Sequence, residues 1–233
     1  MKKSLLLLFD IDGTLIHRTG KRPSRKQLAF KRAIKEVYGI SDVNYMDYPI
    51  FGQTDRGILH LILKSFHIPA KRISDNENVF LKKLIDNYDA LTHEEDNGYI
   101  CLPGVKKLLD RLRHHHLGIA TGNLEYFASE KLKQADIQHY FTFGGFGNHS
   151  LDRAEIVKKA IAAAKVPTSA SKYLFGDTPS DIRAGKTAGC RIIATATGHF
   201  SEKELSLYSS PDDLVVKDLE EYGTILNFLS KND

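Results

Sequence analysis

Apolar and polar positions fall into blocks along this chain, and the blocks predict its elements. Leu5 to Phe9 is an unbroken apolar run, the pattern of a strand buried on both faces. Gly13-Thr14 breaks it. From Pro23 the period becomes helical: Ser24 and Gln27 make a capping-box pair, Leu28, Ile34 and Val37 follow at helical spacing, and Gly39 supplies a stop. Thr54 is placed to cap a second helix carrying Leu59, Ile62, Leu63 and Phe66. Ser74 and Glu77 repeat the capping-box pattern ahead of Leu81, Leu84, Ile85 and Tyr88. Residues from about 20 to 95 therefore read as helical, with no convincing strand.

After Pro103-Gly104 the rhythm changes. A helix bearing Val105, Leu108, Leu109 and Leu112 leads into the apolar run Gly118-Ile119-Ala120, which ends in Thr121-Gly122-Asn123. A helix follows, and Tyr140 to Gly147 reads as a glycine-rich strand. The next helix starts near Asp152 and ends before Pro167. Tyr173-Leu174-Phe175 is a further strand, closed by Gly176-Asp177, and Pro179 opens a helix that Gly189 ends. Arg191–Ala196 and Leu214–Val216 are strands, and Leu219–Leu229 the last helix. Strands alternating with helices imply parallel βαβ units. The expected fold is α/β, a Rossmann-like parallel sheet core with an inserted helical cap. Residues 1–16 and 100–233 form the core, and 17–99 the cap.

Composition fits this picture. The chain has 233 residues, 42% apolar and 27% charged, ordinary for a folded globular protein and unlike a disordered one. A formal charge of +4 suits an anionic small molecule and argues against nucleic acid as a partner. The densest basic stretch, Arg18, Lys21, Arg22, Arg25 and Lys26, reads as a solvated face. Cys101 and Cys190 lie far apart with no metal-ligand spacing and read as reduced packing residues. No apolar stretch approaches the ~20 residues of a membrane span. The expected setting is cytoplasmic, away from membranes.

The chemistry lies at the strand ends, where open α/β sheets place their sites. The first strand runs into Asp10, with Asp12 two places on. A later one ends at Thr121 and another at Asp177, with Asp181 in the next helical turn. Asp177 and Asp181 alone fit a helix N-terminus, where carboxylates satisfy free N–H groups. With Asp10 and Asp12 they make four carboxylates on one sheet edge, which repel unless a cation lies between them. Oxygen-only ligands suit a hard ion, and Mg²⁺ best, because it keeps waters and works beside phosphate. His114-His115-His116 reads as structural, since neighbours on a helix do not converge. Gly52-Gln53-Thr54-Asp55-Arg56, in the cap, either faces substrate or is explained by Thr54 capping a helix. Gly144-Gly145-Phe146-Gly147 reads as a tight loop beside the site.

DIDGT at 10–14, the Thr121 strand end and the Gly176-Asp177-x-x-x-Asp181 cluster, in this order, resemble the haloacid dehalogenase superfamily of phosphohydrolases. The resemblance covers nearly the whole chain, and the helical insert is similar to the cap of phosphoglycolate phosphatases. It implies that Asp10 is the nucleophile and forms an aspartyl-phosphate. Asp12 would be general acid, then base. Thr121 would bind the phosphoryl group, with Gly122, Asn123 and Thr54 as substrate-binding neighbours. Asp10, the Asp12 carbonyl and Asp177 would hold Mg²⁺, with Asp181 close by or acting through water. The family's lysine between nucleophile and phosphate has no counterpart where it is expected. Arg153, at the start of a helix, is the candidate replacement, and Lys158 and Lys159 read as solvated. The implied activity is Mg²⁺-dependent hydrolysis of a small phosphorylated metabolite, with phosphoglycolate the leading substrate. The alternatives are a phosphomutase of the beta-phosphoglucomutase kind and a non-catalytic phospholigand-binding module. Oligomeric state is not legible.

Overall fold

A computed structural model describes residues 4–20, 23–91 and 98–231. The chain divides into two compact units: residues 1–17, 51–54 and 99–233, and residues 18–50 with 55–98.

The first unit is built on a parallel sheet. Its strands are β1 (Leu6–Phe9), β4 (His116–Ala120), β5 (Gly144–Gly145), β6 (Lys172–Gly176), β7 (Arg191–Thr195) and β8 (Leu214–Val216). Among the described residues the sheet is six-stranded and ordered β5-β4-β1-β6-β7-β8, so β1 is central. Two short strands, β2 (Ile16–Arg18) and β3 (Tyr99–Cys101), pair separately. Around the main sheet run α4 (Val105–Leu112), α5 (Glu125–Gln134), α6 (Arg153–Ala163), α7 (Pro179–Thr187), α8 (Glu202–Ser206) and α9 (Tyr222–Lys231). The expected α/β class with a parallel core is what the structure has.

Strand alternation sends the apolar run of β1 to both faces of the sheet. Leu5, Leu7 and Phe9 join one core with residues of α4 and α9, while Leu6 and Leu8 join another with residues of α6 and α7. The Phe9 and Phe175 rings stack at 4.3 Å. Register places the chemistry. Phe9 pairs with Ile119 on one side and Phe175 on the other, and the Asp10 N–H donates to the Phe175 carbonyl at 2.9 Å. Asp10, Thr121 and Asp177 therefore leave the sheet at one edge.

The second unit holds α1 (Arg25–Tyr38), α2 (Asp55–Ser65) and α3 (Ala70–Ala90). The Ser24–Gln27 capping box is present, and Gly39 closes α1 in the left-handed conformation at φ 77°. The Phe30 ring meets Phe80 edge-on at 5.0 Å.

Several local expectations are corrected. Ser74 does not start a helix: α3 begins at Ala70, and the Ser74 hydroxyl donates to the Lys71 carbonyl as an interior residue. Pro69, with its fixed φ at the N-cap, sets the boundary instead. Most of 140–147 is not strand, since Gln138–Tyr140 is a 3₁₀ turn and only Gly144–Gly145 pairs with β4. The short helix α8, with its own Ser201–Glu204 capping box, was not expected. Arg25 and Lys26 are buried, not solvated. Arg25 donates to the Tyr88 carbonyl at 2.7 Å and lies over that ring, and Lys26 pairs with Asp55 at 2.5 Å. Lys21 and Arg22 of that basic stretch lie outside the described residues.

Glu77 braces the helical unit. Its carboxylate accepts from Arg56 at 3.0 and 2.7 Å and pairs with His60 at 2.9 Å. Burial pushes its pKa up, but the hydrogen bonds and charge of Arg56, then those of His60, outweigh this and hold it below the ordinary 4.5. A carboxyl depressed in the folded state stabilises above its unfolded pKa and loses that contribution as pH falls through the folded value. The melting temperature of Glu77→Gln is therefore expected to lie below wild type at neutral pH, with the gap closing as pH falls below 4.5. A gap that stays constant through acid would contradict this linkage.

Candidate active site

Three carboxylates meet at the carboxyl edge of the sheet. Asp10 follows β1, Asp177 follows β6, and Asp181 lies in the first turn of α7. One oxygen from each lies within 4.8 Å of the others, and all three residues are buried. Local sequence explains each position. Thr178 caps α7 and exchanges a capping box with Asp181, while Pro179 supplies a first-turn φ. Gly13, at φ 78°, turns the chain so tightly over Asp177 that a Cβ there would strike that carboxylate. The Thr197 hydroxyl holds the turn by donating to the Gly13 carbonyl at 2.5 Å.

Arg153, the first residue of α6, lies against this trio. Its guanidinium ion-pairs with Asp181 and stands 3.4 Å from Asp10. It satisfies part of the buried charge. Burial would lower the pKa of the guanidinium, but Asp181 and then Asp10 outweigh it and raise it. Burial first, and the Asp181 charge second, push Asp10 up to about 7. The same two causes push Asp177 well above the ordinary carboxylate range. Three buried carboxylates facing one guanidinium leave a negative excess. The donors are all oxygen, as a hard divalent cation requires. They are not equally available: Asp181 already accepts from Thr178 N–H at 3.1 Å, from the Thr178 hydroxyl at 2.6 Å and from Arg153. Asp10 and Asp177 have the more open carboxylates.

The fourth expected carboxylate faces elsewhere. Asp12 is gripped by Lys131 of α5, whose ammonium lies 2.8 and 2.6 Å from its two oxygens, and by the Asn123 amide at 2.8 Å. A fourfold carboxylate cluster does not form. The cause is a cation that sequence reading missed. The one available signal was periodicity: Phe127, Ala128, Lys131 and Leu132 are the buried face of α5, so Lys131 occupies an apolar position and needs a partner there.

Thr121, whose hydroxyl lowers the pKa of Asp10, lies beside Asn123, whose side-chain amide donates to the Thr121 hydroxyl oxygen at 2.9 Å. Gly122 sits where a Cβ would meet the Gln53 carbonyl at 2.6 Å, the Thr54 Cα at 2.9 Å and an Arg153 nitrogen at 3.0 Å. Segment 51–54 thus belongs to the core unit and runs alongside the strand-end turn. Gly52, Gln53, Thr54, Arg153, Ser180 and Arg183 help line a cleft of about 250 Å³. The glycine-rich loop lies where expected: Gly147 N–H donates to the Asn123 carbonyl at 2.7 Å. Lys158 pairs with Glu155 on the exposed face of α6, away from the trio. His115 accepts from the Leu5 N–H at 3.3 Å, a structural role.

Fold and site together define an α/β enzyme whose acidic centre is braced by buried cations. Residues 7–195 match the family model described as haloacid dehalogenase-like hydrolase. The phosphoglycolate phosphatase of Aquifex aeolicus is 27% identical over 224 residues, covering 90% of this chain and 94% of that protein. That of Salmonella typhimurium is 24% identical over 218 residues, covering 88% and 85%. A solved haloacid dehalogenase-like hydrolase from Streptococcus pneumoniae superposes with a TM-score of 0.65 at 20% identity, covering 97% of this chain and 100% of its own, and so shares the fold. The chain belongs to the haloacid dehalogenase-like hydrolase family. The expectation of a phosphatase enzyme is met by that family match and by the names its relatives carry. No helix among the described residues is long and apolar enough to cross a membrane.

Two outcomes follow from the geometry. Arg153→Ala is expected to cut turnover by roughly 10²-fold, the loss typical of one charge-stabilising donor. Arg153→Lys should recover part, while Lys158→Ala and Lys159→Ala stay near wild type; steady-state assays with an aryl phosphate check this. Asp177→Asn, which neutralises one of the three buried carboxylates, is expected to move the midpoint of a Mg²⁺ activation curve to higher concentration. An unchanged midpoint would mean that Asp177 binds no cation.

Proposed function

We propose that the chain is a Mg²⁺-dependent phosphomonoester hydrolase acting through an aspartyl-phosphate on Asp10. Its substrate is a small anionic phosphate ester, with phosphoglycolate the first candidate. The observation that carries this reading is the setting of Asp10: a buried carboxylate at a strand end, 3.4 Å from a guanidinium and beside Asp177 and Asp181. The names of the relatives from Aquifex and Salmonella support the substrate.

In this reading an Asp10 oxygen attacks phosphorus and the ester P–O bond breaks, while Asp12 gives its proton to the leaving oxygen. The Asp12 carboxylate then takes a proton from water. The water oxygen attacks the same phosphorus, the aspartyl P–O bond opens, and Asp10 is restored. Thr121 and Arg153 hold the phosphoryl oxygens, and Gly122, Asn123 and Thr54 contact the substrate. Asp10, Asp177 and the Asp12 carbonyl would hold Mg²⁺, with Asp181 braced by Thr178 and Arg153 as a neighbour acting through water. When bound, the ion neutralises the phosphate dianion and the attacking carboxylate. The unit of residues 18–50 and 55–98 serves as the cap that selects the substrate. Its setting is cytoplasmic, which the two free cysteines suit.

The test is phosphate release from a panel of phosphate esters, including phosphoglycolate and hexose phosphates, with and without Mg²⁺. Release that needs Mg²⁺ and is lost in Asp10→Asn is the expected result. Near-normal turnover by purified Asp10→Asn would overturn the nucleophile. Interconversion of hexose phosphates without net release would identify a phosphomutase, and binding without turnover a phospholigand-binding module.

A further inference from the structure

Lys131 has no part in the roles above, yet its placing is costly. Its side chain is only 7% exposed, and a buried ammonium must be fully partnered. An ammonium has three protons, and three acceptor contacts are present: the two Asp12 oxygens at 2.8 and 2.6 Å and the Asn123 side-chain oxygen at 2.8 Å. The Tyr99 ring face lies 5.1 Å from the same nitrogen.

The third contact has a directional consequence. An amide can present either end to a neighbour, and its partners decide which. Because Lys131 can only donate, it fixes the Asn123 oxygen towards itself. The Asn123 nitrogen must then donate, and it does so to Asp12 at 2.8 Å and to the Thr121 hydroxyl oxygen at 2.9 Å. With that oxygen occupied as an acceptor, the Thr121 proton points away from Asn123, and the hydroxyl lowers the pKa of the neighbouring Asp10. One ammonium thus sets the direction of the hydrogen bonds from Lys131 through Asn123 to Thr121, the neighbour of Asp10, while holding both oxygens of Asp12.

We infer that Lys131 is a positioning residue: it aims Asp12 and orients the Asn123–Thr121 hydrogen bonds that serve the nucleophile. This rests on the phosphatase reading and deepens it. Three donor contacts suit Asp12 as a carboxylate, the form that takes a proton from water. The step most dependent on Lys131 is therefore hydrolysis of the aspartyl-phosphate. Its formation from an ester with a good leaving group needs little help from an acid.

That asymmetry gives a readout separate from folding. p-Nitrophenyl phosphate is used with Mg²⁺, nitrophenol release is followed in steady state, and acid-quenched protein is weighed by intact mass spectrometry for one added phosphoryl group. Lys131→Met is expected to lower kcat by about 10²-fold, the usual scale of general acid–base assistance, and to lower KM with it. The phosphorylated fraction should rise well above wild type, and Lys131→Arg should recover part of the rate. Should Lys131→Met fail to fold, Lys131→Gln carries the same readout, because it keeps a donor but loses the charge.

Turnover within about threefold of wild type, well short of general acid–base assistance, would overturn the assignment and leave Lys131 a packing residue. So would a fall in kcat with no rise in the phosphorylated fraction. A wild-type chain that neither releases nitrophenol nor becomes phosphorylated would overturn the phosphatase reading itself, and the role of Lys131 with it. That outcome is distinct from an active wild type with an indifferent variant.

Discussion

The structure depends on how negative charge is tolerated at the buried edge of a parallel sheet. Three carboxylates converge where β1 and β6 end, and a fourth stands close to them on the turn after β1. Water screens the three buried carboxylates poorly, so they need partners, while the more exposed Asp12 is held from the side of the buried Lys131. Arg153 braces Asp10 and Asp181. Lys131 and Asn123 hold Asp12. The Thr178 cap occupies Asp181. What remains least matched is the negative charge of Asp10 and Asp177, which is where the proposed reading puts a divalent cation and a phosphate.

Two cations from separate helices divide this work. Arg153 comes from the first turn of α6 and serves the trio; Lys131 comes from the buried face of α5 and serves Asp12. The division keeps Asp10 and Asp12 from sharing one cation. The turns around the site are also close-packed. Gly13 lets the chain cross over Asp177, and Gly122 lets segment 51–54 run beside the strand-end turn. A Cβ at Gly13 would strike the Asp177 carboxylate, and one at Gly122 would crowd the Gln53 carbonyl, Thr54 and Arg153.

Much of this could be read from the chain because the signals are local. The apolar run of β1 and its abrupt end at Asp10 mark a buried strand and its chemistry. Thr178-Pro179 and Ser24-Gln27 carry their own caps, and the alternation of strands and helices leads to a parallel sheet. Errors arose where local patterns compete. Ser74 and Glu77 have the spacing of a cap, but Pro69 had already started the helix, and Glu77 is committed to Arg56. Tyr140 to Gly147 has apolar residues without the backbone pairing of a strand. Arg25 and Lys26 read as surface charges because nothing local reveals Tyr88 and Asp55.

By itself the sequence determined the order of elements, the family motifs and the residue types that converge on the sheet edge. These follow from short-range periodicity and from strand ends that must finish at one edge once parallel neighbours share a register. Only the tertiary structure decided which charge meets which. Asp12 and Lys131 are 119 positions apart, and Arg153 and Asp181 are 28 apart. Such pairs form because helices pack onto the sheet at distances that no window of sequence spans. Asp12 could therefore be recognised from the chain, but its partner could not.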